Sequence, residues 1–275
     1  YVTMGMSLVP MVGPTIGGFL DEAFGWHANF AMLLVAGALV LALVWADLGE
    51  TARPNQNSLL AQFREYPELF RSRRFWGYAL SAAFSSGVFF AYLGGAPFVG
   101  SEVFGLSPAI LGLYFGIAAL GYMGGNYLSG RYSVRIGINL MILTGSLAVT
   151  AGLVISLLLF LMGATHPLAF FGLMIAVGLG NGMVLPNATA GMLSVRPHLA
   201  GTASGLGGTI MIGGGAGLSA LAGAMLTPGS GVYPLLAIML ASAASSVVAT
   251  GYVFHVNRIA GELGEIEEPE AHPGA

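Results

Sequence analysis

The chain has nine lysine-or-arginine residues, all of them arginine, and they fall in every second gap between long apolar stretches. The apolar stretches run over residues 1–20, 29–46, 75–99, 109–129, 136–162, 167–192, 200–226 and 233–255. Crossing a hydrocarbon core takes about 20 residues of helix, and each stretch reaches or approaches that length. Arg53, Arg64, Arg71, Arg73 and Arg74 follow the second stretch, Arg131 and Arg135 the fourth, Arg196 the sixth and Arg258 the eighth. The other gaps hold Asp21, Glu22, His27, Glu102 and His166, and no arginine. Arginine accumulates on the cytoplasmic side of membrane proteins, so the pattern puts the even gaps and the C-terminus in the cytoplasm and the odd gaps outside.

Composition excludes the soluble classes. With 56% apolar residues and 8% charged ones, the polar surface is too small for a water-soluble globule. The net charge of -3 comes mainly from the acidic tail at 262–270, while the even gaps are locally basic, so no nucleic-acid partner is implied. The absence of cysteine removes disulfides, thiolate metal sites and a cysteine nucleophile. The histidines lie at or beyond the stretch ends without metal-ligand spacing, and no cofactor or metal site is expected. Tyr1 opens directly into an apolar run, without initiator Met, basic leader or cleavage site. The expectation is therefore a fragment cut inside or just before a helix.

The expected fold is an all-α integral membrane protein of eight transmembrane helices. A polar gap carrying Pro54, Pro67 and five arginines separates two helices (1–48) from six (75–256), and makes 49–74 a cytoplasmic linker. Leu59, Leu60 and Phe63, beside Gln62 and Arg64, suit either a short amphipathic surface helix or a plain linker. The tail from 257, rich in Glu, Pro and Gly beyond Gly261, is expected to be disordered.

Polar residues within apolar stretches are substrate-site candidates, because bilayer depth penalises them unless they face inward. Ser81, Ser85 and Tyr92 fall near one helix face, with Phe89 beside it, and Asn181 and Asn187 flank Pro186 in the sixth stretch. Hydrogen bonding between helices is the alternative for each. Pro14 removes a backbone hydrogen bond and bends the first helix, while Gly13 and Gly17 share a face that admits a neighbouring backbone. Eight glycines between Gly201 and Gly217 lead to the same expectation of close approach for the seventh helix.

Val12-Gly13-Pro14-Thr15-Ile16-Gly17-Gly18 resembles the G-P-x-x-G-G antiporter motif in the fifth helix of major facilitator superfamily drug:proton antiporters, although Val9 stands where the family often has glycine. Phe24-Gly25-Trp26-His27-Ala28-Asn29-Phe30 looks like the start of the sixth helix. The run from Phe90 to Val99, with Tyr92, Gly94, Gly95 and Pro97, is similar to the seventh-helix signature of the bicyclomycin/chloramphenicol-resistance (Bcr/CflA) branch, and Ala200-Gly201-Thr202-Ala203-Ser204-Gly205 to the start of its eleventh helix. Gly125 through Arg131 and Arg135 resemble the superfamily's degenerate cytoplasmic-loop motif, with Gly130 where the better-kept copy has an acid.

The resemblance implies the last two helices of one six-helix half, a complete second half, and a bacterial cytoplasmic membrane. It implies proton-driven export of amphipathic small molecules by alternating access, with small-molecule substrate, protons and lipid as partners. The antiporter motif is then Gly13, Pro14, Gly17 and Gly18, and the loop motif Gly125, Arg131 and Arg135. No carboxylate interrupts the apolar stretches after Phe75, so the resemblance places the coupling acid on N-terminal helices absent from this chain. A same-fold carrier of one small metabolite is the main alternative. An intramembrane enzyme is disfavoured, because paired aspartates, a Ser with His, and H-E-x-x-H are all lacking.

Overall fold

The computed structural model describes the backbone of residues 2–47, 66–227 and 229–267, and the side chains of 13–47, 66–227 and 229–259. All regular structure among the described residues is helical. Eight long helices follow the eight apolar stretches: α1 Val2–Phe24, α2 His27–Asp47, α3 Arg73–Phe98, α4 Pro108–Ile136, α5 Ile138–Leu161, α6 Met174–Val195, α7 Ala200–Met225 and α8 Tyr233–Glu267. Helices α2 to α8 are each long and apolar enough to span a membrane. The amphipathic segment around Leu59 to Arg64 lies outside the described residues.

Local chemistry sets the helix ends. The Ser72 hydroxyl accepts from the Phe75 N–H to cap α3, and Ser107 caps α4 with Pro108 in the first turn, where a missing N–H costs nothing. Gly25 at φ 77° makes the two-residue turn between α1 and α2 possible. Beyond Pro97, α3 runs into a π turn, Val99–Val103.

Three ends differ from the sequence expectation, for one reason: hydropathy marks where the bilayer stops, whereas a helix continues until a residue breaks it. Helix α4 runs through Arg131 and Arg135 to Ile136 and stops at Gly137, in the left-handed region at φ 86°. The expected loop motif is therefore the last turns of a helix. Helix α1 includes Asp21 and Glu22 in its final turn, so neither is a loop residue. Helix α8 continues to Glu267 through the good helix formers Glu262, Leu263 and Glu265, so the tail expected to be disordered from 257 is helical to that point.

Helix α6 is the hub. It packs against α4, α5 and α3, and α3 also packs along α7 and α8. One buried cluster, with Tyr92, Phe115, Phe170 and Phe171, fills the end where α3 finishes. A second, with Leu69, Phe75, Tyr78 and Met192, fills the arginine-bearing end. In hydrocarbon no hydrophobic effect drives helices together, so close packing and hydrogen bonds must do so. Hydroxyls at every fourth residue of α8 supply such bonds: Ser242 donates to the Phe84 carbonyl at 2.7 Å, Ser246 to the Ser81 carbonyl at 3.0 Å, and Thr250 lies 3.2 Å from the Ser81 hydroxyl. Helix α1 joins this bundle through α4, while α2 buries no residue and leaves Leu33, Leu34, Val35 and Leu39 more than half exposed. Such a surface suits acyl chains rather than water.

Candidate functional site

A cavity of about 270 Å³ lies between α3, α4, α6 and α7. From α3 it receives Ser86, Phe89, Phe90 and Leu93; from α4, Phe115, Ala118, Ala119 and Tyr122. Each set has the spacing i, i+3, i+4, i+7, one stripe of a helix. Gly178, Asn181 and Leu185 of α6 form a third wall, and Met211 and Ile212 of α7 the fourth. Gly215 makes room for the Phe90 ring, which any side chain there would strike. No charged residue lines the space. It offers aromatic faces, a polarisable thioether and few polar atoms, a surface that holds apolar ligands by contact.

Of the substrate candidates read from sequence, Phe89 and Asn181 line this cavity. Ser85 stands behind it and donates its hydroxyl proton to Asn181 Oδ1 at 2.5 Å. Asn181 is 2% exposed, and its Nδ2 has no acceptor among the described residues. A buried donor left unmet costs about 1–3 kcal/mol. Ser81 lies between α3 and α8, hydrogen-bonded to the Gly77 carbonyl. Asn187 ties α6 to α4 by donating to Ser129 Oγ at 2.8 Å, and to its own helix at the Met183 carbonyl. Tyr92 is wholly buried among Phe89, Phe115, Phe170 and Phe171. Phe90, Phe115, Tyr122 and Met211 did not emerge from the sequence. Their stripes were readable, but ordinary core helices carry the same pattern.

The Gly-Pro motif lies against α4. Thr15 Oγ1 donates to the Gly112 carbonyl at 3.0 Å, and a side chain at Gly112 would meet the Pro14 carbonyl oxygen at 2.6 Å. Gly18 faces the Pro108 carbonyl so closely that no side chain fits. Gly17 instead faces Asn29 of α2, whose Nδ2 donates to the Gly17 carbonyl at 3.2 Å, and Gly13 meets no described atom within 4 Å. Close backbone approach thus occurs one residue along from the expected face. At the end of the same seam, Glu22 Oε2 accepts from Ser107 Oγ at 3.1 Å and from the Ala109 N–H at 3.2 Å, placing a carboxylate on the positive end of α4.

Gly125, from the second motif, is buried against α6, where a side chain would come within 2.9 Å of Gly182 Cα. Arg131 and Arg135 are exposed at the arginine-bearing end. There Arg196 Nε donates to Glu68 Oε1 at 2.8 Å, pinning the segment before α3 to the α6–α7 turn. Both partners are nearly half exposed, so the pair fixes geometry more than stability.

The family model described as Major Facilitator Superfamily matches residues 1–220. An uncharacterized MFS-type transporter of Bacillus subtilis, YdgK, is 31% identical over 86% of this chain and 59% of its own length. The bicyclomycin resistance protein homolog of Haemophilus influenzae is 28% identical over 94% of this chain and 64% of its own. Multidrug resistance protein D of Escherichia coli is 28% identical, over 87% and 60%. The chain thus spans about three fifths of the length of these curated relatives. Among solved structures, a bacterial homolog to the human lysosomal transporter Spinster, inward-facing and occupied, superposes with a TM-score of 0.54 at 18% identity, over 93% of this chain and 66% of that one. That likeness concerns the fold alone.

Proposed function

We propose that this chain, which belongs to the Major Facilitator Superfamily and within it to the Bcr/CflA branch, carries the cavity wall of an exporter of neutral or lipophilic small molecules. The family is one of transporters, not enzymes. The observation that carries the substrate class is the lining: aromatic rings, aliphatic side chains and no charge. An ionised substrate would lose its hydration there without a counter-charge, whereas a neutral aromatic one gains contact at little desolvation cost. A carrier for one polar metabolite would need more hydrogen-bonding groups than this wall offers. Relatives named for resistance to bicyclomycin, chloramphenicol and multiple drugs support the same class.

Helices α3–α8 are read as one six-helix half, and α1–α2 as the closing pair of the other. Transport then proceeds by rocking of the halves about the cavity, and the α1–α4 seam is a contact between them. Proton exchange supplies the driving force, and because the lining has no carboxylate, the coupling group lies outside it. The arginine-bearing end faces the cytoplasm of the bacterial inner membrane.

The test uses the protein at its full genomic length in a host stripped of its own exporters. Expression should lower the accumulation of neutral aromatic drugs, and a protonophore should abolish the effect. Drug accumulation unchanged by expression, with the protein present in the membrane, would remove the export reading.

A further inference from the structure

We infer that Asn181 is the hydrogen-bond donor by which the cavity selects its ligand, favouring neutral aromatic molecules that carry a carbonyl or similar uncharged acceptor. This rests on reading the cavity as the substrate site. Asn181 lies between Gly178 and Leu185 on the α6 stripe that lines the space. The amide has two ends, and their roles are fixed by what they meet. Ser85, on the adjacent helix, donates to Oδ1 at 2.5 Å, an O–H···O distance shorter than an amide N–H makes, so the oxygen is the engaged end. The NH₂ group is then the unspent end, buried and without an acceptor among the described residues.

The other polar lining groups do not impose the same preference. The Ser86 hydroxyl proton goes to the Ala83 carbonyl at 3.0 Å. The Tyr122 phenol can donate or accept, so it does not discriminate. Asn181 alone among them offers N–H donors while its oxygen already accepts from a neighbouring helix. A ligand carbonyl that reaches this nitrogen supplies the acceptor that the described residues do not, and a ligand with a methylene in that place cannot. Sites built to hydrogen-bond a ligand group discriminate strongly against the analogue lacking it, because the buried partner is left unpaired. The absence of a charged lining residue keeps the preferred acceptor neutral.

The experiment uses this chain in lipid nanodiscs with benzophenone as photoprobe. On irradiation the excited ketone abstracts hydrogen from a nearby C–H bond, and the two carbon radicals join, so peptide mass spectrometry locates the bound carbonyl. Saturable adducts are expected on Leu185 and Met211. Two competitors are compared at equal concentration in the bilayer: phenyl benzoate, and benzyl phenyl ether, which has a methylene in place of the carbonyl. Phenyl benzoate should displace the probe at about ten-fold lower concentration, equivalent to about 1.4 kcal/mol. Asn181→Leu should bring the ratio near one while the ether still competes. Ser85→Ala, which frees the amide to rotate without removing it, should lower the ratio to about three-fold, an intermediate loss. A ratio near one in the unmodified chain, or one unchanged by Asn181→Leu, overturns the role of Asn181 but leaves the cavity as a binding site. Absence of saturable labelling at the cavity overturns both.

Discussion

Two glycine-rich regions of this bundle behave in opposite ways. On α4, Gly121 and Gly125, four residues apart, face the α6 backbone at Ile175, Leu179 and Gly182, and on α6 Gly178 and Gly182, also four apart, face the α4 backbone at Ala118, Tyr122, Gly125 and Asn126. A side chain at Gly178 would strike the Ala118 carbonyl and reach 2.7 Å from the Tyr122 nitrogen, and one at Gly182 would reach 2.7 Å from the Asn126 nitrogen. Backbone meets backbone along this seam. Helix α7 carries more glycine, yet Gly201, Gly205, Gly208, Gly213, Gly214 and Gly217 face no described atom within 4 Å. Gly207 against Met192 and Gly215 against Phe90 are the close contacts there. Glycine density thus does not report helix contact; spacing matched on two facing helices does. The functional consequence is a division of labour. The α4–α6 seam holds Asn181 and the aromatic stripe of α4 in a fixed relation, whereas α7 closes the cavity with most of its glycines facing no described atom and its backbone meeting α3 at Ser219, where a side chain at Gly94 would collide.

The largest effect should come from striking the seam. Gly178→Val forces α4 and α6 apart, where overpacking already costs about 1–3 kcal/mol and more when backbone is hit. The expected outcome is loss of the monodisperse, cooperatively melting protein in detergent, while Gly214→Val on α7 melts normally. Equal melting of the two variants would break the distinction between the regions.

A smaller loss is expected at the α1–α4 contact, which also joins backbones but over fewer residues. In this cysteine-free chain, Thr15→Cys with Gly116→Cys should oxidise readily, because a Cβ built at Gly116 lies 3.9 Å from Thr15 Oγ1. Adding Gly18→Leu, which collides with the Pro108 carbonyl, should suppress that crosslink without unfolding α3–α8. Undiminished crosslinking would show that the motif glycine is not needed for the approach. Smaller again is Glu22→Ala, which removes a carboxylate from the first turn of α4 and should cost about 1 kcal/mol, read as a modest drop in melting temperature.

The smallest change should come from Gly214→Ala. Nothing described obstructs the methyl group, and alanine favours helix over glycine by up to about 1 kcal/mol. Its melting temperature should be unchanged or slightly raised. Lost export at full genomic length despite normal melting would sharpen the comparison, by showing that the open face of α7 meets another part of the transporter.

Much of the bundle was legible because the bilayer dictates it. Eight apolar runs gave eight long helices among the described residues; Asn181 stands out as an amide at a depth where polar groups are rare, and Phe89 as the aromatic ring beside the face of Ser81, Ser85 and Tyr92. The seam is written in the sequence too, as Gly121, Gly125, Gly178 and Gly182, but glycine is denser on α7, where most of it meets nothing, so composition alone does not separate the two. Ser81, Ser85 and Asn187 share the polarity that singled out Asn181. Which of them meets a cavity and which meets another helix depends on rotation about helix axes, and spacing along one helix does not encode that.

The sequence by itself determined the membrane class, the eight long helices among the described residues and the alternation of basic and non-basic ends, because hydrocarbon thickness and the cost of burying charge act on each segment independently. Tertiary structure decided the rest. It carried α4 past the hydropathy boundary to Gly137, turned Glu22 from a loop carboxylate into the partner of Ser107 and Ala109, and left the Asn181 amide nitrogen without an acceptor among the described residues, beside a charge-free cavity. These outcomes depend on which atoms of distant segments come within about 3 Å of each other, the range over which hydrogen bonds form. That distance is set only when the helices have packed.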